Sequence, residues 1–273
     1  MTTDTKPVFE SLEGMSEPCR LGLRNIIMAC ADTKLLLGYH YGEWTFGTPE
    51  LEAAVASCSL SQSELGHVRL LQAVLKKHYG DDPERLIDNR PAAEFANVAF
   101  LDEQIERWPG FVAMNAIVDL AVARVLHAFR GSSFKPLRMS VEKMLDEERY
   151  HIHHGRGWFR ALARQGEATR GSLERQACAA LTSVAEWFGP ADDEQDAALV
   201  GASVKSMANA EIFRALLEDV SEMASGTGVN VAAAQRASLD GWNPATRRVG
   251  VGGPNEEILF HLRGSKNEVF KLG

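Results

Sequence analysis

Two short stretches, SELGHVRL at residues 63–70 and DEERYHIHH at residues 146–154, each set a glutamate three positions ahead of a histidine: Glu64 with His67, and Glu148 with His151. On an α-helix, positions three apart differ by about 60° in direction, so each pair presents one oxygen and one imidazole to a common point. That mixture of donors suits iron or manganese, and zinc less distinctively. Spacing alone is a weak signal, because a chain with eight histidines and many glutamates produces such pairs by chance.

The surroundings of the pairs strengthen it. Glu43 stands in LLLGYHYGEW and Asp119 in MNAIVDLAVARVL, so each Glu-x-x-His segment is preceded by a carboxylate in a largely apolar run. A carboxylate on a core-facing surface costs several kcal/mol unless something pairs with it. A metal cation would account for both. The chain thus spells carboxylate helix, then Glu-x-x-His helix, twice over. Four such helices packed as two antiparallel pairs give the ligand set of ferritin-like di-iron carboxylate proteins. The expected ligands are Glu43, Glu64, His67, Asp119, Glu148 and His151, and the expected cofactor is a pair of iron ions.

The elements that must position these residues are long, Ala/Leu-rich and periodic at three and four, which predicts helices almost throughout. Ser16-Glu17-Pro18 opens a helix expected to reach about residue 46, and Thr48-Pro49-Glu50 opens a second ending near Gly80. Further helices are expected over 92–107, from Pro109-Gly110 to about 130, and over 133–166, 170–188 and 192–224. The stretch DGWNPATRRVGVGGPNEE (240–257) cannot continue a helix. The expected fold is all-α: one domain with a ferritin-like four-helix core over about 16–225, additional helices, and an irregular C-terminal arm over about 226–273.

Composition excludes other classes. The formal net charge is −8 with no long Lys/Arg run, which disfavours nucleic acid or an anionic membrane as the main partner. No stretch reads as a membrane span, and the N-terminus lacks the apolar core of a signal peptide. Cys19, Cys30, Cys58 and Cys178 are scattered, as expected for reduced thiols in the cytoplasm.

Residues 31–75, ADTKLLLGYHYGEWTFGTPELEAAVASCSLSQSELGHVRLLQAVL, together with DEERYHIHHGRGWFRAL at 146–162, closely resemble the phenylacetyl-CoA epoxidase family of multicomponent oxygenases. Matched to the catalytic subunit of that family, the ligand positions are Glu43, Glu64 with His67, Asp119, and Glu148 with His151. GYHYGEW and TPELEAAVASCSL instead look like the related non-catalytic helical subunit, so the chain reads as a divergent relative of both. The resemblance implies a di-iron monooxygenase that epoxidises or hydroxylates an aromatic acyl group carried as a CoA thioester. It also implies dioxygen as co-substrate, electrons from a separate reductase, and a homo- or hetero-oligomer with a related helical subunit. The rival readings are a metal-free structural subunit of such a complex and a ferritin-like iron-handling protein.

Neighbouring residues have lesser expected roles. His40 is a pocket group near Glu43, His127 a packed helix residue, and His153 and His154 solvated or interfacial. Glu147 projects about 100° from Glu148 and is placed either in solvent or on an imidazole of the opposite motif. Gly38, Gly42 and Gly66 imply close helix packing or room for a small substrate.

Overall fold

The computed structural model describes residues 8–234 and 238–270. Helix α1 (Glu17–Glu43) carries Pro18 in its first turn, where no backbone donor is lost to the helix. It passes through a short 3₁₀ turn, Trp44–Phe46, to α2 (Leu51–Tyr79), which ends at Gly80 in the left-handed conformation, φ 76°. The two helices run antiparallel. Ser57 Oγ donates to Tyr41 O at 2.7 Å, Ser61 Oγ donates to Gly38 O at 2.7 Å, and Lys34 lies opposite Glu64. Gly38 permits this approach: a Cβ there would stand 3.1 Å from the Leu65 side chain and 3.3 Å from Glu64 Cβ.

After the short α3 (Pro83–Asp88), the chain crosses the bundle to its second antiparallel pair. The first rod of that pair is continuous in three parts: α4 (Trp108–Ala113), a π-helical stretch (Met114–Asp119) and α5 (Leu120–Ala128). Its partner is α6 (Lys135–Ala163). Gly155 lets α6 rest directly on the π-helical stretch, since a Cβ there would lie 3.0 Å from both Ala116 Cα and Asn115 Oδ1. Helices α7 (Glu167–Phe188), α8 (Glu194–Gly201) and α9 (Asn209–Ala224) cover the bundle, which is all-α and ferritin-like.

Two expectations are corrected. Residues 92–107 do not form a helix but carry two 3₁₀ turns, Ala92–Glu94 and Ala99–Leu101. Side chains satisfy the backbone there instead: Ala96 N donates to Asp32 Oδ2 at 2.8 Å, and Trp187 Nε1 donates to Ala96 O at 2.8 Å. The helix expected from Pro109-Gly110 is present, and Pro109 falls in the first turn of α4, where no backbone donor is lost. The helix expected over 192–224 is two, α8 and α9, parted where Ser203 takes a positive φ of 55°. Trp108–Ala128 is long and apolar enough to cross a membrane by length and composition, yet most of it is enclosed by the other helices, as the core helix of the bundle.

Within the described residues, arginines hold the arm to the bundle. A short antiparallel ribbon, β1 (Trp242–Asn243) with β2 (Arg248–Val249), precedes α10 (Glu256–Leu262). Buried Arg247 donates to Trp187 O at 2.6 Å and Phe188 O at 3.0 Å, carbonyls of the last turn of α7 that have no partner within the helix. Arg248 donates to Asp102 Oδ2 at 2.7 Å and Asn97 O at 3.0 Å, which ties the arm to the irregular segment.

The α6 crossing is tested by a matched pair of substitutions. Gly155→Ala should lower stability by about 1–3 kcal/mol through the enforced backbone shift. Gly157→Ala, with open space around its Cβ, should be neutral or stabilising by up to about 1 kcal/mol. Denaturant midpoints of the two variants check the contrast, and equal effects would refute it.

Candidate functional site

The centre of the bundle holds five of the expected residues. Glu64 and His67 come from α2, Asp119 from the end of the π-helical stretch, and Glu148 and His151 from α6; all five are buried. Ligand atoms of Glu64, Asp119, Glu148 and His151 lie within 4.8 Å of one another, a group that could hold a metal ion. A π-helical stretch widens the helix locally and often occurs at functional sites. Here it ends on the one carboxylate of that rod that joins the cluster.

Glu43 lies elsewhere. It is the last residue of α1 and is exposed. The α1 side chain in the cluster is Lys34, nine positions earlier, and nine positions turn a helix by about 180° beyond whole turns. Glu43 therefore faces the opposite side of α1. The expectation that it converges with the other five is corrected, and a cation stands in its place.

Lys34 is fully buried. Its ammonium donates to Glu64 at 2.8 and 3.0 Å and to Glu148 Oε1 at 2.6 Å, and lies 3.6 Å from Asp119 Oδ1. One cationic side chain thus bridges carboxylates from three other segments. On the far side, His151 Nδ1 sits 2.9 Å from Glu64 Oε1 and 2.9 Å from Asp119 Oδ2. Tyr41, almost two full turns after Lys34 on the same face, donates its hydroxyl to Asp119 Oδ2 at 2.7 Å. Asn115 Nδ2 donates to Tyr41 Oη at 2.8 Å and to His151 O at 3.2 Å.

The electrostatics follow from burial and proximity. Burial works against the Lys34 ammonium, but the carboxylates of Glu148, Glu64 and Asp119 outweigh it and hold the group above its ordinary range. Burial likewise opposes a charged His151, yet Asp119 and Glu64 raise it to about 11. For Asp119, burial is overcome by His151 and Lys34, which hold its carboxyl well below the usual range. For Glu64, burial wins and raises it. With both cations charged, they offset two of the three carboxylates.

The remaining histidines sort by contact. His67 Nε2 lies 2.9 Å from Glu147 Oε2, the acid beside the opposite motif, which also accepts from Ser63 Oγ at 3.0 Å. His67 Nδ1 faces the cluster 3.3 Å from Glu148 Oε1, without a hydrogen bond. His154 Nδ1 bonds Asn115 Oδ1 at 2.8 Å, so it belongs to the network and not to solvent. His40 bonds Leu101 O at 3.2 Å, and burial lowers it to about 4. His127 and His153 are exposed.

A pair of irons does not fit this set. The di-iron arrangement draws a carboxylate from each of two helices and a Glu-x-x-His from each of two others. Here one of the lone carboxylates is replaced by an ammonium, which occupies the space between Glu64 and Glu148 where a cation would sit. Asp119 Oδ1, Glu148 Oε2 and His67 Nδ1 are buried without hydrogen-bond partners. Lys34 escaped the sequence reading, but a signal was there. It is the one cation in IIMACADTKLLLGY, thirty positions before Glu64, much as Asp119 stands twenty-nine before Glu148.

Removing the ammonium leaves buried carboxylates facing one another, so Lys34→Met should cost about 3–5 kcal/mol near neutral pH. Because its pKa is raised by folding, His151 contributes stability that is complete below its ordinary value of about 6.5. That contribution is lost as pH rises towards about 11. The stability gap between the native chain and His151→Asn should therefore narrow steadily above pH 6.5 in denaturant titrations; a gap that widens would refute the assignment of charge.

Comparison with known proteins agrees with this bundle. The sequence matches the family described as "Phenylacetic acid catabolic protein" over residues 1–243. It is 24% identical over 194 residues to one of the subunits of 1,2-phenylacetyl-CoA epoxidase from Escherichia coli (strain K12), a match covering 68% of this chain and 78% of that protein. Two Glu-x-x-His helices, a buried carboxylate on a third, and this sequence match together identify the chain as a member of the phenylacetic acid catabolic protein family.

Proposed function

We propose that the chain is the metal-free helical subunit of a cytoplasmic multicomponent oxygenase of the phenylacetyl-CoA epoxidase type. In this reading it assembles with a related helical subunit that carries the oxygen-activating metals. The complex epoxidises or hydroxylates an aromatic acyl-CoA thioester with dioxygen and electrons from a separate reductase. The observation that carries the reading is the Lys34 ammonium, hydrogen-bonded to Glu64 and Glu148 in the middle of the cluster.

The chain's own residues then act as a rigid strut. Lys34 and His151 neutralise carboxylates from separate helices, and Tyr41 and Asn115 tie Asp119 to α1 and α6. The name of the similar Escherichia coli protein, an epoxidase subunit, supports assembly with others. So does an apolar edge where α1 turns into α2: Phe46, Leu51 and Val55 are among the most exposed large hydrophobic side chains.

Anaerobic loading of the purified chain with ferrous iron, followed by metal analysis, tests the reading. The expected content is near zero. About two irons per chain would overturn it and make this chain the oxygenase itself, with Glu64, His67, Asp119, Glu148 and His151 as ligands. Uptake far beyond that would indicate iron storage.

A further inference from the structure

Lys34 and Asp119 hold equivalent places in the two halves of the bundle. Each stands on the first rod of an antiparallel pair, about thirty positions before a Glu-x-x-His, and their charged ends lie 3.6 Å apart. Asp119 and Glu64 both face His151, and Lys34 faces Glu64 and Glu148. The bundle is thus a two-metal architecture with one corner inverted in sign. We propose that the residue at position 34 by itself sets how many divalent cations this centre holds, and that Lys34 serves as the protein's own built-in cation.

Charge balance gives the counts. Glu64, Asp119 and Glu148 supply three carboxylates, and Lys34 and His151 are the two basic side chains that contact them. Two divalent cations need four carboxylates once the imidazoles are neutral ligands. The cluster falls short by one, and the missing one is at position 34. A glutamate there is one bond shorter than lysine, which opens the gap that metal–oxygen bonds of about 2 Å require. An uncharged residue at 34 leaves three carboxylates and the imidazoles, with ligand atoms of Glu64, Asp119, Glu148 and His151 already within 4.8 Å of one another. That set suits one cation. The three atoms left without hydrogen-bond partners, Asp119 Oδ1, Glu148 Oε2 and His67 Nδ1, are the donors such ions would use.

The inference rests on the metal-free reading of the native chain, and a graded series separates the two. Native protein, Lys34→Gln and Lys34→Glu are stripped of metal and titrated with cobalt(II). Bound metal is counted, ligand-field absorption is recorded in the visible range, and melting is followed with and without cobalt. The expected stoichiometries are near zero, about one and about two per chain. Metal-free Lys34→Glu should melt well below the native protein and recover on adding cobalt, while the native midpoint stays fixed. If neither variant binds cobalt while the native chain also binds none, position 34 does not govern the centre and the inference falls, with the metal-free reading intact. About two cobalt ions on the native chain would sink both. Should Lys34→Glu fail to fold without metal, expression in cobalt-supplemented medium must yield folded, metal-loaded protein; failure there, or folded Lys34→Gln that binds no cobalt, equally overturns it.

Discussion

A fully buried ammonium surrounded by three carboxylates constrains the rest of this molecule. Charges removed from water survive only if each meets an opposite charge at hydrogen-bond distance. Lys34 on α1 meets that condition through Glu64 of α2 and Glu148 of α6, with Asp119 of the Met114–Asp119 stretch 3.6 Å away. The four rods are therefore fixed in depth and rotation by one side chain, to a degree that apolar packing alone does not impose. Gly38 and Gly155 serve this geometry by letting backbones come close enough for the charged ends to meet.

The pattern of the centre was legible in the sequence because helical periodicity is rigid. Glu64/His67 and Glu148/His151 had to face inward once their helices were granted, and Asp119 stood out against its apolar neighbours. The sixth position was misread for a physical reason. Glu43 and Lys34 lie on one helix but on opposite faces, and a search for carboxylates passes over a lysine that does the same electrostatic work with the opposite sign. The similar spacing within the two halves of the chain, thirty and twenty-nine positions, held the needed information.

Elsewhere, local pattern and tertiary context diverged. Residues 92–107 carry helix-forming side chains, yet Asp32, Trp187 and Arg248 bond their backbone in an irregular path. Those partners lie far away in sequence, so no window around the segment could reveal them. The same holds for Arg247 and Arg248, adjacent in a Gly/Pro-rich stretch with no periodicity, which nonetheless close the end of α7 and anchor the arm.

The widened turn before Asp119 has an effect along the whole rod that contains it. It amounts to one extra residue in the winding, so everything after it is rotated by about 100° relative to an unbroken helix. The two ends of this rod consequently look in different directions: α4 leans on α7, whereas α5 turns towards α9. The irregularity beside the charged cluster thus lies where the rod passes from one outer helix to the other.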